Sequence, residues 1–237
     1  MRQFSILIKN NKVWFSDSDL KHLQVLRIKI NQKIKCIDQY NNLVTVEILN
    51  LNPIKTRIIN ITSNSSFNCP YDITCFLGVI KKHNFELAVQ KLNELNIKKI
   101  VPIYFDYSQK NYTLNFDRLN KIILESKKQC NRQTDLIICK PIHFKDLITE
   151  LDNYGNNFLA YEKQNCSEWD KIKKDINKNS INKVSFIIGP EGGFSEKEIL
   201  ELQKKCSFLK LTNTILKSET AAIYLASILI ERFFCEK

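Results

Sequence analysis

The sequence predicts an α/β protein made of two joined domains, a compact β-rich one followed by a domain with a mostly parallel sheet. Three observations carry this. Residues 1–60 read as short alternating strands, the stretch from Thr62 to Pro70 is polar and closed by proline, and beyond it strand-like runs alternate with amphipathic helical segments. The domains are therefore set at 1–68 and 69–237.

In the first domain strands are expected over 4–8, 33–38, 43–49 and 55–61. Val44-Thr45-Val46-Glu47-Ile48 gives the clearest alternation of apolar and polar side chains. A short helix follows the cap candidates Ser16 to Asp19, with Leu20, Leu23 and Leu26 or Arg27 at helical spacing. In the second domain strands are expected over 73–79, 99–104, 136–139, 158–161, 184–188 and 208–211. The helix between the first two carries Phe85, Ala88, Val89, Leu92 and Leu95 on one stripe, with Glu86, Lys91 and Glu94 outside it. The last segment, 221–234, is apolar on nearly every side apart from Glu231 and Arg232. It needs cover from the core on one face and from a second subunit on the other.

Composition narrows the function. The 237 residues are 43% hydrophobic and 26% charged, an ordinary globular balance that argues against wholesale disorder. No apolar run reaches the roughly 18 residues of a membrane span, and Met1-Arg2-Gln3-Phe4 does not begin a signal peptide, so a cytoplasmic protein is expected. Eight cysteines without a C-x-x-C pair and three histidines disfavour a metal site and read as reduced thiols. The net charge is +11, of which residues 1–70 supply +6 from ten Lys/Arg against four Asp/Glu. That concentration favours nucleic-acid contact by the first domain, although a chain so rich in Lys, Asn and Ile owes part of its basicity to composition.

The chemistry is expected where glycine clusters. The chain has five glycines, and three stand in Ile188-Gly189-Pro190-Glu191-Gly192-Gly193-Phe194, after a strand and before a helix opened by a Ser195/Glu198 capping box. Such loops at the carboxyl ends of sheet strands bind ligands in open α/β folds. A tight connection without a ligand is the plainer alternative. A phosphate-gripping loop fits less well, for want of G-x-G-x-x-G and G-K-[ST]. A second loop, Thr212 to Lys217, leads to Ser218, a good N-cap for the final helix. Two neighbouring loops of this kind, with Ile215 and Leu216 between them, would wall a pocket for a flat, uncharged ring such as adenine.

At these loops, in Ile188-Gly189-Pro190-Glu191-Gly192-Gly193 and Ile215-Leu216-Lys217-Ser218-Glu219-Thr220-Ala221-Ala222, the sequence resembles the bacterial 16S ribosomal RNA uridine-N3 methyltransferases of the SPOUT superfamily. Gln90-Lys91 with Glu94-Leu95, Gln129-Cys130-Asn131-Arg132, Arg2-Gln3-Phe4, and His22 with Val25-Leu26-Arg27 agree in the same order along the chain. The resemblance implies an N-terminal β-barrel similar to PUA domains, an α/β domain tied in a deep trefoil knot, a homodimer, and S-adenosylmethionine held in the knot. It departs at Thr212-Asn213-Thr214 (usually Gly-Pro-Arg), Lys217 (Arg), Lys128 (Glu) and Tyr107, near an expected Arg. Asn31, Asn41 and Asn42 stand where turn glycines are usual, and asparagine tolerates the left-handed conformation best among ordinary residues.

On this reading the cofactor is surrounded by Ile188, Gly189, Glu191, Gly192, Gly193, Leu211, Ile215, Leu216, Ser218, Glu219 and Ala221. Arg132, with Lys217 second, is the cation that favours a deprotonated uracil ring. Arg2, His22 and Arg27 are assigned to RNA. The partner is 16S ribosomal RNA or the small subunit, with no membrane and no metal. Two rivals stay open: a non-catalytic ribosome-assembly factor of the same fold, and a SPOUT enzyme acting on another RNA atom such as a ribose hydroxyl.

Overall fold

The computed structural model describes residues 4–63, 72–109, 112–130, 132, 134–163 and 183–235, with backbone alone for 232–235. The chain divides into two compact units. One comprises Met1–Asn68 and Leu124–Asp135, the other Cys69–Ile123 and Leu136–Lys237.

The first unit is built on a five-stranded sheet of β1 (Phe4–Lys9), β2 (Lys12–Phe15), β3 (Lys33–Ile37), β4 (Leu43–Leu51) and β5 (Ile54–Thr62), in the order β2-β1-β3-β4-β5. Only the β1–β3 pair among these is parallel, and β2 approaches β5, so the sheet curls into a nearly closed barrel. Alternation sends Val44, Val46 and Ile48 inward, where they are fully buried with Phe4, Ile34 and Cys36. Each such aliphatic contributes about 1.5–3 kcal/mol of burial.

The chain uses asparagine where others use glycine. The β1–β2 hairpin turns on Asn10 and Asn11, with φ of 49° and 57°, the conformation that two-residue hairpins with the twist of the strands demand. Asn31 and Asn41 also have positive φ, at 67° and 63°; Asn42 is not among the positive-φ residues. Helix α1 (Asp17–Val25) is capped by Ser16, whose hydroxyl accepts the Asp19 N–H. It ends with Arg27 N–H donating to Gln24 O and Ile28 N–H to Leu23 O, while Leu23 packs with Ile28. This is a Schellman ending, and it places Arg27 at φ 50°, where glycine is usual. Leu26 and Arg27 therefore lie beyond the helix, and both are exposed.

The second unit carries a seven-stranded sheet of β6 (Asp72–Gly78), β7 (Lys99–Tyr104), β8 (Ile137–Ile138), β9 (Ile142–His143), β10 (Asn156–Ala160), β11 (Lys183–Ile188) and β12 (Ser207–Leu209). The order is β12-β10-β11-β6-β7-β8, with β9 also on β7, and each pair is parallel. Both faces are covered, which is why these strands read as continuous apolar runs. Ile73, Cys75, Leu77, Val184, Phe186 and Ile188 pack with α2 (Lys82–Glu94) and α6 (Ser218–Cys235). Phe76, Ile103, Leu159 and Ile187 face the side of α4 (Phe144–Glu150) and α5 (Glu196–Gln203).

The expected stripe on α2 is buried at Phe85, Ala88, Val89 and Leu92, and Leu95 packs against it. Helix α3 (Phe116–Cys130) belongs to the second unit through Ile123 and to the first from Leu124. On α6 the face of Ala222, Leu225, Ala226 and Leu229 is fully buried, while Tyr224 is exposed and Ile223 and Ile228 are half-buried. Among the described residues no helix is long and apolar enough to cross a membrane. Nor does any group of three or more His, Cys, Asp or Glu among them converge as metal ligands would.

Candidate functional site

Parallel strands put their carboxyl ends at one edge, and there the loops after β10, β11 and β12 meet the start of α2. They enclose a cavity of about 560 Å³. All eleven residues expected around an adenosyl group line it, and so does Lys217. Ala160, Tyr161, Glu162, Lys81, Asn84 and Phe194 line it as well and were not anticipated. The first three follow from β10 lying between β11 and β12, an order that periodicity does not reveal.

The glycine loop is a turn, closed by Gly193 N–H donating to Pro190 O at 2.9 Å. Gly193 adopts φ 73°, which excludes most side chains. The other glycines answer to protein neighbours rather than to open space. A Cβ on Gly189 would stand 2.8 Å from the Phe194 ring, and one on Gly192 2.7 Å from Tyr107 Cβ. A Cβ on Gly78, at the end of β6, would stand 2.6 Å from Pro190 N. Gly78 does not line the cavity, yet it lets the turn settle onto β6. Its signal was a lone glycine inside a strand pattern, which marks a close backbone approach.

Glu191 joins two loops. Its Oε1 accepts the Lys81 N–H at 2.9 Å, and Lys81 is the N-cap of α2, which has no side-chain cap of its own. The acid therefore serves a helix start remote in sequence, where the dipole favours it. The predicted capping box is present: Ser195 Oγ accepts Glu198 N–H, and Glu198 Oε2 accepts Ser195 N–H at 2.8 Å.

The loop before α6 holds itself through Thr212, whose hydroxyl donates to Thr214 O at 2.6 Å. Here one expectation is corrected. Lys217 O accepts the Ala221 N–H at 2.8 Å, so Lys217 occupies the cap position and Ser218 is the first helical residue. Ser218 is nonetheless buried against the cavity. Glu219 is 5% exposed, and its Oε2 has no hydrogen-bond partner among the described residues. A buried carboxylate oxygen in a cavity wall without a donor is costly unless a ligand supplies one.

The remaining expected residues lie elsewhere. Arg132 belongs to the first unit and does not line the cavity; it is buried, and its Nε donates to Thr134 O at 3.0 Å and Thr134 Oγ1 at 3.2 Å. His22 packs on Phe4 with ring centroids 5.8 Å apart, its Nε2 buried without a partner among the described residues, which is a structural environment. Arg27 is exposed. Arg2 and Asn131 lie outside the described residues, as does most of the 62–70 stretch.

Comparison with known proteins agrees with this geometry. The RNA methyltransferase domain family matches residues 67–230. A ribosomal RNA small subunit methyltransferase E of Mesomycoplasma hyopneumoniae is 33% identical over 87% of this chain and 88% of its own length. The protein of the same name from Rickettsia conorii is 29% identical over 92% and 89%. Among solved structures, a ribosomal RNA small subunit methyltransferase E from Neisseria gonorrhoeae, bound to S-adenosyl methionine, aligns with TM-score 0.77 at 19% identity over 96% of both chains. A Legionella pneumophila methyltransferase in complex with the same cofactor aligns with TM-score 0.75 at 21% identity over 98% of both. The chain therefore belongs to the RNA methyltransferase family, in the branch of the small-subunit ribosomal RNA methyltransferases E.

Proposed function

We propose that the protein transfers a methyl group from S-adenosylmethionine to N3 of a uridine in 16S ribosomal RNA. The observation that carries this reading is the one cavity that gathers the glycine turn and the loop leading into α6. Its volume falls within the roughly 300–1,000 Å³ of small-molecule sites. Its walls fit the cofactor: Ile188, Leu211, Ile215 and Leu216 offer apolar surface to an adenine ring, main-chain groups offer polar edges, and Glu219 offers an acceptor for an amino group.

S-adenosylmethionine, when bound, supplies an electrophilic methyl group on a cationic sulfur. The protein's part is to exclude water, to orient the base, and to favour loss of the N3 proton. Arg132 is assigned as the cation that stabilises the deprotonated ring, its fork oriented by Thr134, with Lys217 on the cavity wall as the second. Because N3 lies on the pairing edge, the uridine has to be unpaired when it reacts.

The first unit is assigned to RNA, as a PUA-like domain, from the +6 charge of residues 1–70 and the exposed Arg27; Arg2 completes that assignment, while His22, with its Nε2 buried, is left to the fold. A homodimer would cover Tyr224, Ile223 and Ile228 on α6. The trefoil knot is likewise proposed, and the placement of β10 between β11 and β12 is compatible with it. The site of action would be the bacterial cytoplasm, where ribosomal subunits are. Nucleoside mass spectrometry of 16S RNA tests the reading: a deletion strain should lack 3-methyluridine, and an unchanged level would refute it.

A further inference from the structure

We propose that Tyr107 is the platform on which the target uracil stacks, an inference that rests on the methyl-transfer reading. A nucleotide drawn out of its stack loses its neighbours' faces, and proteins restore that contact with an aromatic ring. Such a ring has to stand beside the cofactor, be open to solvent, and rise from a fixed turn.

Tyr107 meets each requirement. Its Cβ and Cγ fill the space that a side chain on Gly192 would need, and Gly192 is part of the cavity wall. The residue is 54% exposed. The turn beneath it is fixed on several sides: Ser108 N–H donates to Phe105 O, Phe105 N–H to Ser108 Oγ, and Gln109 N–H to Val79 O. Asp106 N–H donates to Glu198 Oε1 at 2.9 Å, and Ser195 Oγ donates to Asp106 Oδ2 at 2.6 Å. None of these bonds uses the Tyr107 side chain, so the turn does not need the ring. The aromatics in the cavity wall are engaged otherwise: Phe194 packs edge-on against Phe105 and Tyr161, and Tyr161 against Phe208.

The test compares wild type with Tyr107→Phe and Tyr107→Ala. Radiolabelled methyl transfer is measured to small subunits from a strain lacking the enzyme, and S-adenosylmethionine affinity by calorimetry. Alanine keeps the Cβ that rests on Gly192, so the turn should persist. The expected result is a loss in kcat/KM for RNA of about 5- to 150-fold in Tyr107→Ala, the range for losing one stacked base. Tyr107→Phe should stay near wild type, and cofactor affinity should hold in both. Near-wild-type transfer by Tyr107→Ala would overturn the proposal, as would a parallel fall in cofactor affinity, which would mark a role in shaping the turn. If the wild type itself transfers nothing, the underlying reading fails and this inference falls with it.

Discussion

Replacing Lys128 by methionine strands a carboxylate. Lys128 Nζ lies 3.1 Å from both oxygens of Asp19, and the two side chains are 14% and 6% exposed, so the pair is shielded from solvent. Removing one partner of a buried pair costs about 3–5 kcal/mol, because the other charge stays behind. Asp19 would keep the hydrogen bond from Ser16 Oγ at 2.7 Å and its place in the first turn of α1, so the loss should fall at about 2–3 kcal/mol. Asp19→Asn in the same chain removes the stranded charge while leaving Ser16 a partner, and should recover at least about 1 kcal/mol of that loss. The assay is urea unfolding followed by the fluorescence of Trp14 on β2, in a Trp169→Phe background so that the first unit alone reports. A Lys128→Met chain within about 0.5 kcal/mol of its parent, or single and double substitutions that simply add, would refute the reasoning. On the proposed role of Arg132, methyl transfer should fall along with stability, since Arg132 lies four residues beyond Lys128 and in the same unit.

Other consequences are as direct. Gly78→Ala should weaken S-adenosylmethionine binding by about 5- to 150-fold in calorimetry, although Gly78 does not itself line the cavity, because overpacking against Pro190 in the cavity wall costs about 1–3 kcal/mol. Unaltered affinity would mean that the turn can shift freely. Arg27→Gly should raise the stability of the first unit by about 1 kcal/mol by relieving the positive φ, and at the same time lower RNA affinity in a filter-binding assay. A loss of stability would show that Arg27 serves the fold. Glu191→Ala should lower stability by about 1 kcal/mol through the lost cap on α2, as read by thermal unfolding. Burial, with Asp19 adding to it, pushes the Cys36 thiol up to about 12, and burial alone pushes Cys75 up. Neither is a thiolate at pH 8, so both should escape disulfide-exchange reagents in the native state and react in urea, with the modified positions read by mass spectrometry.

Elements set by local rules were legible. The Ser195/Glu198 box, the α2 stripe and the alternation of β4 depend on residues within a few positions of one another, and the structure has each of them. The glycine turn was found by its rarity in a chain that elsewhere turns on asparagine. The same habit hid β2, because the Asn10-Asn11 turn lacks the glycine that usually marks a tight hairpin. Features that depend on strand order were not readable. Ala160, Tyr161 and Glu162 reach the cavity only because β10 lies between β11 and β12, and Glu191 caps a helix more than a hundred residues away. The grouping of Leu124–Asp135 with the first unit is of the same kind, since Lys127 meets Asn41 and Lys128 meets Asp19 across long stretches of sequence. Ser218 was placed one position off because a serine at a helix start reads as a cap whether or not the backbone bond begins there.

Whether the cavity holds the methyl donor is best decided by titrating S-adenosylmethionine into the full-length protein in a calorimeter, beside Gly189→Ala, whose added Cβ would press on the Phe194 ring. Saturable binding at one site per chain, weakened at least tenfold by the substitution, is the result expected. No heat of binding, or equal affinity in both proteins, would contradict the assignment of this cavity.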